Sequence, residues 1–453
     1  MSPPTLPYDV LLSVISLMAC TRPRSLVNMA CTSRKMRDII IPRFLYSHIT
    51  ISDESNCLET LLQAFCTSRA SHVDSVRSLS INCVITRSAQ LLLVEVLSTM
   101  RNLREIRLSN ASKFTEAQAI AAIGPMTHLR SLHILHFTFS TFDRAAERLA
   151  ELRSLRLEGY TYHLTQLTPR WDGKAISNSR GTLEQLCLGY VSWDLRIGPV
   201  GIWPRLQTLD LRDTYVFGME DLDLSTSFPL VRSFGPPLND PHTWAPLPCN
   251  LPFLSNLESF QGSVNVLEVA RPMLSNLRFL LAQHWGVQAI TECDRFVPPS
   301  LQLLRLELWT KGAIVPQTFG VIAEAAPNLA FLSIYWHVAL THRCVLGIAE
   351  ALIAFLPRLP LSYVKINCHN VTHGPRDKRL AESTLGAAWE RAVNLASSLD
   401  SMKAFDLQIG SCEIHWRRDA IEEDSPYEQY LEFVHRIHSP LAMAIGPHPG
   451  VPP

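Results

Sequence analysis

The chain has 453 residues, 47% of them apolar and 18% charged, and its 41 Lys and Arg balance its 41 Asp and Glu. Such a composition belongs to a globular protein with a large core and excludes a disordered chain. Balanced charge supplies no global field toward nucleic acid or anionic lipid, so neither nucleic acid nor membrane is expected as a partner. Eleven cysteines stand singly, with no C-x-x-C pair, as buried thiols do in a reducing compartment.

The first 50 residues predict three short helices. "YDVLLSVISLM" places Val10, Leu11, Val14, Ile15 and Met18 on one helical face. A second helix is expected near "SLVNMACTS", and a third over "RKMRDIIIPRFLY", bent or ended by Pro42. There is no basic n-region and Pro3, Pro4 and Pro7 interrupt the start, so no signal peptide is expected. Val10–Cys20 is too short to span a bilayer. A cytoplasmic or nuclear location is the expectation. Residues 51–75 read as a connecting helix or first cap.

From residue 76 to 412 one phrase recurs, apolar-x-x-apolar-x-apolar: "VRSLSI" at 76, "LREIRL" at 103, "LRSLHI" at 129, "LRSLRL" at 152, "LEQLCL" at 183, "LQTLDL" at 206 and on to "MKAFDL" at 402. Its last three positions alternate, which predicts a short strand with one apolar face. Helical patterns lie between phrases, among them "SAQLLLVEVLSTM", "TEAQAIAAI", "TFDRAAERLAEL", "PQTFGVIAEAA" and "RCVLGIAEALIAFL". Thr115 with Gln118 fits a capping box. A strand plus a helix every 20–30 residues cannot bury its own apolar face, but a stack of such units can. About 13 strand units are expected. The stretch 236–252, "PPLNDPHTWAPLPCNLP", holds six prolines and is expected to run extended, without a helix.

Residues 413–439 predict a C-terminal helical cap and 440–453 a disordered Pro-rich tail. No phosphate-binding loop, dinucleotide fingerprint, H-E-x-x-H or nucleophile-elbow motif occurs. His369 and His373 stand four apart beside Cys368, yet "HNVTHGP" reads as a loop rather than half a metal site. His435 and His438 read as surface histidines, and "WRRD" (416–419) as a solvated face. No catalytic residue, metal or cofactor is expected.

The phrase and its period resemble the leucine-rich-repeat family, although the ninth places hold Ala111, Phe137, Tyr160, Val191, Thr214 and His337 where that family often has Asn or Cys. The N-terminal residues resemble an F-box: Leu6-Pro7-Tyr8-Asp9-Val10-Leu11, then Val14-Ile15, then Leu26, and then "TSRKMR" with Met36 where the family usually has Trp. The ending "IPRFLYSHITI" looks like the exit of a fungal-type F-box into a first repeat strand. Together the resemblances imply an α/β chain: a three-helix F-box (1–50), then a curved leucine-rich-repeat solenoid with an irregular middle. They imply a non-catalytic substrate receptor of a Skp–cullin–F-box ubiquitin ligase, which holds a protein substrate near a recruited enzyme and works by proximity. Leu6, Pro7, Val10, Leu11, Val14, Ile15, Leu26 and Met36 would meet a Skp-type adaptor and, through it, a cullin. The alternative is a leucine-rich-repeat scaffold or inhibitor outside any ligase.

In each phrase the third, fifth and seventh residues are expected on the concave, solvated side. Early units place Glu105, Arg107, His133, Arg156, Glu158, Asp210 and Arg212 there. Later ones place Phe279, Leu281, Leu303, Phe331, Tyr335 and Tyr363, with Arg305, Glu307 and Lys365 at the edges. Exposed aromatic patches mark interaction sites. Phe279, Leu281, Leu303, Arg305, Phe331, Tyr335, Tyr363 and Lys365 are therefore the expected substrate-binding residues.

Overall fold

The computed structural model describes residues 10–15, 23–41, 44, 46–51, 55–67, 73–83, 85–109, 114–137, 148–159, 170–171, 174–196, 201–285, 295–308, 316–336, 340–341, 351, 353–368, 371–372, 390–409 and 412–417. The chain divides into two compact units, Met1–Leu206 with Asp213–Gly218, and Gln207–Arg212 with Met219–Pro453.

The first unit opens with helical residues 10–15 and the helices Pro23–Ala30 and Arg34–Ile40. Pro23 starts its helix, where a missing N–H costs nothing. Ser33 caps the next, its hydroxyl accepting from the Met36 N–H at 3.2 Å. Then come the parallel strands β1 (His48–Ile51), β2 (Ser78–Ile81), β3 (Glu105–Leu108), β4 (Ser131–Phe137), β5 (Ser154–Gly159) and β6 (Gln185–Gly189). They pair in register: Leu79, Ile106, Leu132, Leu155 and Leu186 stand side by side, each at most 2% exposed. Burying one such side chain stabilises by roughly 2 kcal/mol, and no strand could do so alone. The helices Ser55–Thr67, Arg87–Thr99 and Glu116–Ile123 pack side by side. The capping box is present as read: Thr115 and Gln118 satisfy each other's backbone.

Strand β1 belongs to the repeat stack and crosses the expected boundary at residue 50, because Ser47 C=O accepts from both Arg77 and Ser78 N–H and so docks it on β2. A second, small parallel sheet was not foreseen. It orders Tyr215–Phe217, Ser192–Asp194 and Arg170–Trp171. The place-eight residues His136, Tyr190 and Asp213 take left-handed φ of 53, 57 and 58°, which turns the chain out of the strand. At place nine Thr214 is fully buried and its hydroxyl donates to Leu188 C=O at 2.9 Å, the task an Asn would have there.

The second unit holds β7 (Thr208–Asp210), β8 (Ser233–Gly235), β9 (Ser259–Ser263), β10 (Phe279–Trp285), β11 (Leu303–Leu308), β12 (Phe331–Trp336), β13 (Tyr363–Cys368), β14 (Ala404–Ile409) and β15 (Cys412–Arg417). All pairs are parallel except the last, where β15 runs back along β14. Residues 412–417 thus extend the sheet instead of opening the expected helical cap; residues 418–453 lie outside the described residues. The core row is Leu209, Phe234, Phe260, Leu280, Leu304, Leu332, Val364 and Phe405, each at most 1% exposed.

The Pro-rich middle corrects an expectation. Residues 236–252 are not extended: Pro241–Trp244 and Leu251–Ser255 are short helices and Pro248–Asn250 a 3-10 turn. Each has Pro in its first turn, the one helical site where Pro fits, and Asp240 caps the first. Trp244, Phe253 and Phe260 ring Phe234 edge-on, with centroids 5.8, 5.2 and 6.2 Å away. Aromatic volume there stands in for the third apolar residue that the phrases "VRSFGP" (231) and "LESFQG" (257) lack.

Candidate protein-interaction sites

The N-terminal module has its own small core of Ile15, Leu26, Ala30 and Ile40, with Leu11, Met29 and Met36 packed against it. Ile15 and Leu26 are fully buried, while Val10 and Val14 are 43% and 42% exposed. The single apolar face read from the sequence is therefore two stripes. Leu11 and Ile15, four apart, turn inward; Val10 and Val14, also four apart, lie about 100° round the helix and turn to solvent. Val27, beside buried Leu26, is 48% exposed. Leu6 and Pro7 lie outside the described residues.

The second unit's non-core face is built by register. Its first row is Phe279, Leu303, Phe331, Tyr363 and Ala404; its second is Leu281, Arg305, Ser333, Lys365 and Asp406; its third includes Glu307, Tyr335, Asn367 and Gln408. The expectation of a solvated aromatic patch does not hold for the first row. Leu303, Phe331 and Tyr363 are buried, as is Leu281, and with Phe279 and Ala404 the row forms a cluster of its own. Parallel in-register strands set like positions about 4.8 Å apart, so large apolar side chains on successive strands cover one another. Tyr363 O–H donates to Asp406 Oδ2 at 2.8 Å.

Beyond that ridge the face is polar and more open. Arg305 lies over the Tyr335 ring, 4.3 Å from its centroid, and donates to Glu307 at 2.8 Å. Lys365 Nζ approaches the same ring at 5.7 Å. Tyr335, Arg305 and Lys365 keep partial exposure. Sequence reasoning missed Ser333 and Asn367, which are nine-tenths or more buried beside them with Ser333 Oγ and Asn367 Oδ1 unpartnered; no pattern in the phrase distinguishes a buried polar place on this face from an exposed one.

In the first unit the corresponding face carries charge. Arg107 pairs with Glu105 at 2.6 Å and Arg156 with Glu158. His133 lies between Arg107 and Arg156 in register. Burial first, and then the two guanidinium groups, push its pKa down to about 3. In the second unit Arg212 pairs with Asp210 at 2.7 Å. Glu105 with Arg107 and Arg156 with Glu158 are neighbours two apart on one strand, which share a face.

Among the described residues no three His, Cys, Asp or Glu stand together as a metal site, and no helix is long and apolar enough to cross a membrane. Burial raises the Cys368 thiol to about 12. His369, His373, His435 and His438 lie outside the described residues.

The recurring phrase, its period and the in-register parallel strands define a leucine-rich-repeat architecture. No family model matches the chain, and no curated protein matches it. Solved structures similar to it include these three. The yeast Rad7–Elc1 complex shows 14% identity over 80% of this chain and 88% of that one, with a TM-score of 0.35. The leucine-rich-repeat-containing protein LegL7 of Legionella pneumophila shows 11% identity over 77% and 98%, with 0.32. An internalin, InlF, of Listeria monocytogenes shows 13% identity over 78% and 93%, with 0.31.

Proposed function

We propose that the protein is a non-catalytic substrate receptor: its N-terminal helices bind a Skp-type adaptor, and through it a cullin, while the repeat array holds a protein substrate for ubiquitin transfer. The observation that carries this reading is the solvent-facing pair Val10 and Val14, 43% and 42% exposed on a helix whose opposite stripe already fills the module's core. A module of about 45 residues has little surface to spare for stability, and two valines four apart left in water are a half-interface. The F-box resemblance names the partner that would cover them. On the substrate side, Tyr335 between Arg305 and Lys365 supplies the residue types favoured at interface centres.

Co-purification tests the adaptor half. The full chain should retain a Skp-type adaptor through gel filtration, and the variant Val10→Asp/Val14→Asp should lose it without a change in thermal unfolding. Equal retention by both would remove the basis of the reading.

A further inference from the structure

Place two of the phrase, the residue just before each strand, is Arg in four successive repeats of the first unit: Arg77, Arg104, Arg130 and Arg153. The backbone locks them in line. Arg104 N–H donates to Arg77 C=O at 2.8 Å, Arg130 to Arg104 at 2.7 Å, and Arg153 to Arg130 at 2.7 Å. Four arginines are thus rooted at strand spacing, their backbones about 4.8 Å from one to the next. In the second unit the same place alternates, Arg232, Glu258, Arg278, so the fold itself does not need a single-sign row. The row lines a groove of about 690 Å³ together with Asn102 and His128.

Two of the four arginines already take carboxylates as partners. Arg130 pairs with Glu151 of the next repeat, and Arg153 with Glu184. Glu151 sits just before its phrase; the equivalent places facing Arg77 and Arg104 carry Asn102 and His128. Arg77 and Arg104 are exposed and make no ion pair among the described residues. The one carboxylate in the lining, Glu105, is already balanced by Arg107 at 2.6 Å.

From this we infer that the groove binds an acidic peptide segment of another protein, whose carboxylates take on Arg77 and Arg104 the place that Glu151 takes on Arg130. Acidic side chains two apart on an extended peptide stand about 7 Å from each other, within reach of two long guanidinium arms rooted on adjacent strands. A forked guanidinium suits a carboxylate geometrically as well as electrically. The inference uses none of the residues of the two sites above and does not depend on the receptor reading.

The test is fluorescence anisotropy on the full chain with a labelled octapeptide in which Glu alternates with Ser. Its Gln counterpart and a labelled oligothymidine of similar length are the comparison probes. The Glu peptide should bind, the Gln peptide should not, and affinity should fall as salt rises from roughly 0.05 to 0.3 M. Arg77→Gln/Arg104→Gln should weaken binding about tenfold, two partly exposed pairs being lost, while Arg278→Gln should leave it unchanged. Both changes fall on exposed or unpaired side chains, so unfolding temperature and adaptor retention should match wild type. Absence of Glu-peptide binding, equal binding by the double variant, or tighter binding of the oligothymidine would each overturn the inference.

Discussion

His133 is a titratable group buried between two guanidinium groups. It is 7% exposed, with Nε2 at 2.9 Å from Ser154 Oγ and 3.2 Å from Ser131 Oγ, and its pKa is held down at about 3. The unfolded chain takes up this proton near pH 6.5 and the folded chain only near 3. The unfolded state therefore binds more protons in that window, and stability falls as pH drops from about 6.5 toward 3, with no contribution above it. Denaturation midpoints across that range should show His133→Gln losing part of the acid slope; an unchanged slope would contradict the assignment. Asn250 is the other decisive residue. Fully buried, its Oδ1 accepts from Leu224 N–H at 2.8 Å and its Nδ2 donates to Trp244 C=O at 2.9 Å. Asn250→Ala should cost about 2–4 kcal/mol in urea unfolding, because two buried backbone groups lose their partner. Neither role was legible in the sequence. His133 sits at an ordinary fifth place, and Asn250 lies in a stretch that prolines made look structureless.

At the scale of elements, structure is legible in the sequence where periodicity is strong. The alternation in "LRSLRL" and its relatives located the strands, and Thr115 with Gln118 located a helix start. Thr115→Ala should lower stability by about 1 kcal/mol. Legibility is lost where one residue type has two structural meanings. Pro241, Pro248 and Pro252, helix breakers by residue type, open helical turns here. Gly262 stands at the sixth place of its phrase, where the others carry an apolar side chain or Pro. Its Cβ would come 2.9 Å from the Phe260 ring and 3.2 Å from Pro236, so the missing apolar side chain is supplied by neighbours. Gly262→Val should destabilise by about 1–3 kcal/mol through overpacking; a neutral or stabilising result would show that the phrase is merely degenerate there. The non-core face was misjudged for a third reason. The period says which side of a strand a residue occupies, and not whether its counterparts on the next strands are bulky enough to bury it.

At the scale of the whole molecule, the proposed function gives one chain two jobs, holding an adaptor and holding a substrate. The proposed adaptor half rests on Val10 and Val14, which are exposed while Leu11 and Ile15 pack in the module's core. Leu11→Asp would confuse loss of folding with loss of binding; Val10→Asp/Val14→Asp does not. Calorimetric titration of the full chain with a purified Skp-type adaptor is therefore the most direct measurement. The account predicts one-to-one binding with a negative heat-capacity change, the mark of apolar burial, and at least about a hundredfold weaker binding for the double variant. No heat of binding for the wild-type chain, or an equal affinity for the variant, would contradict it.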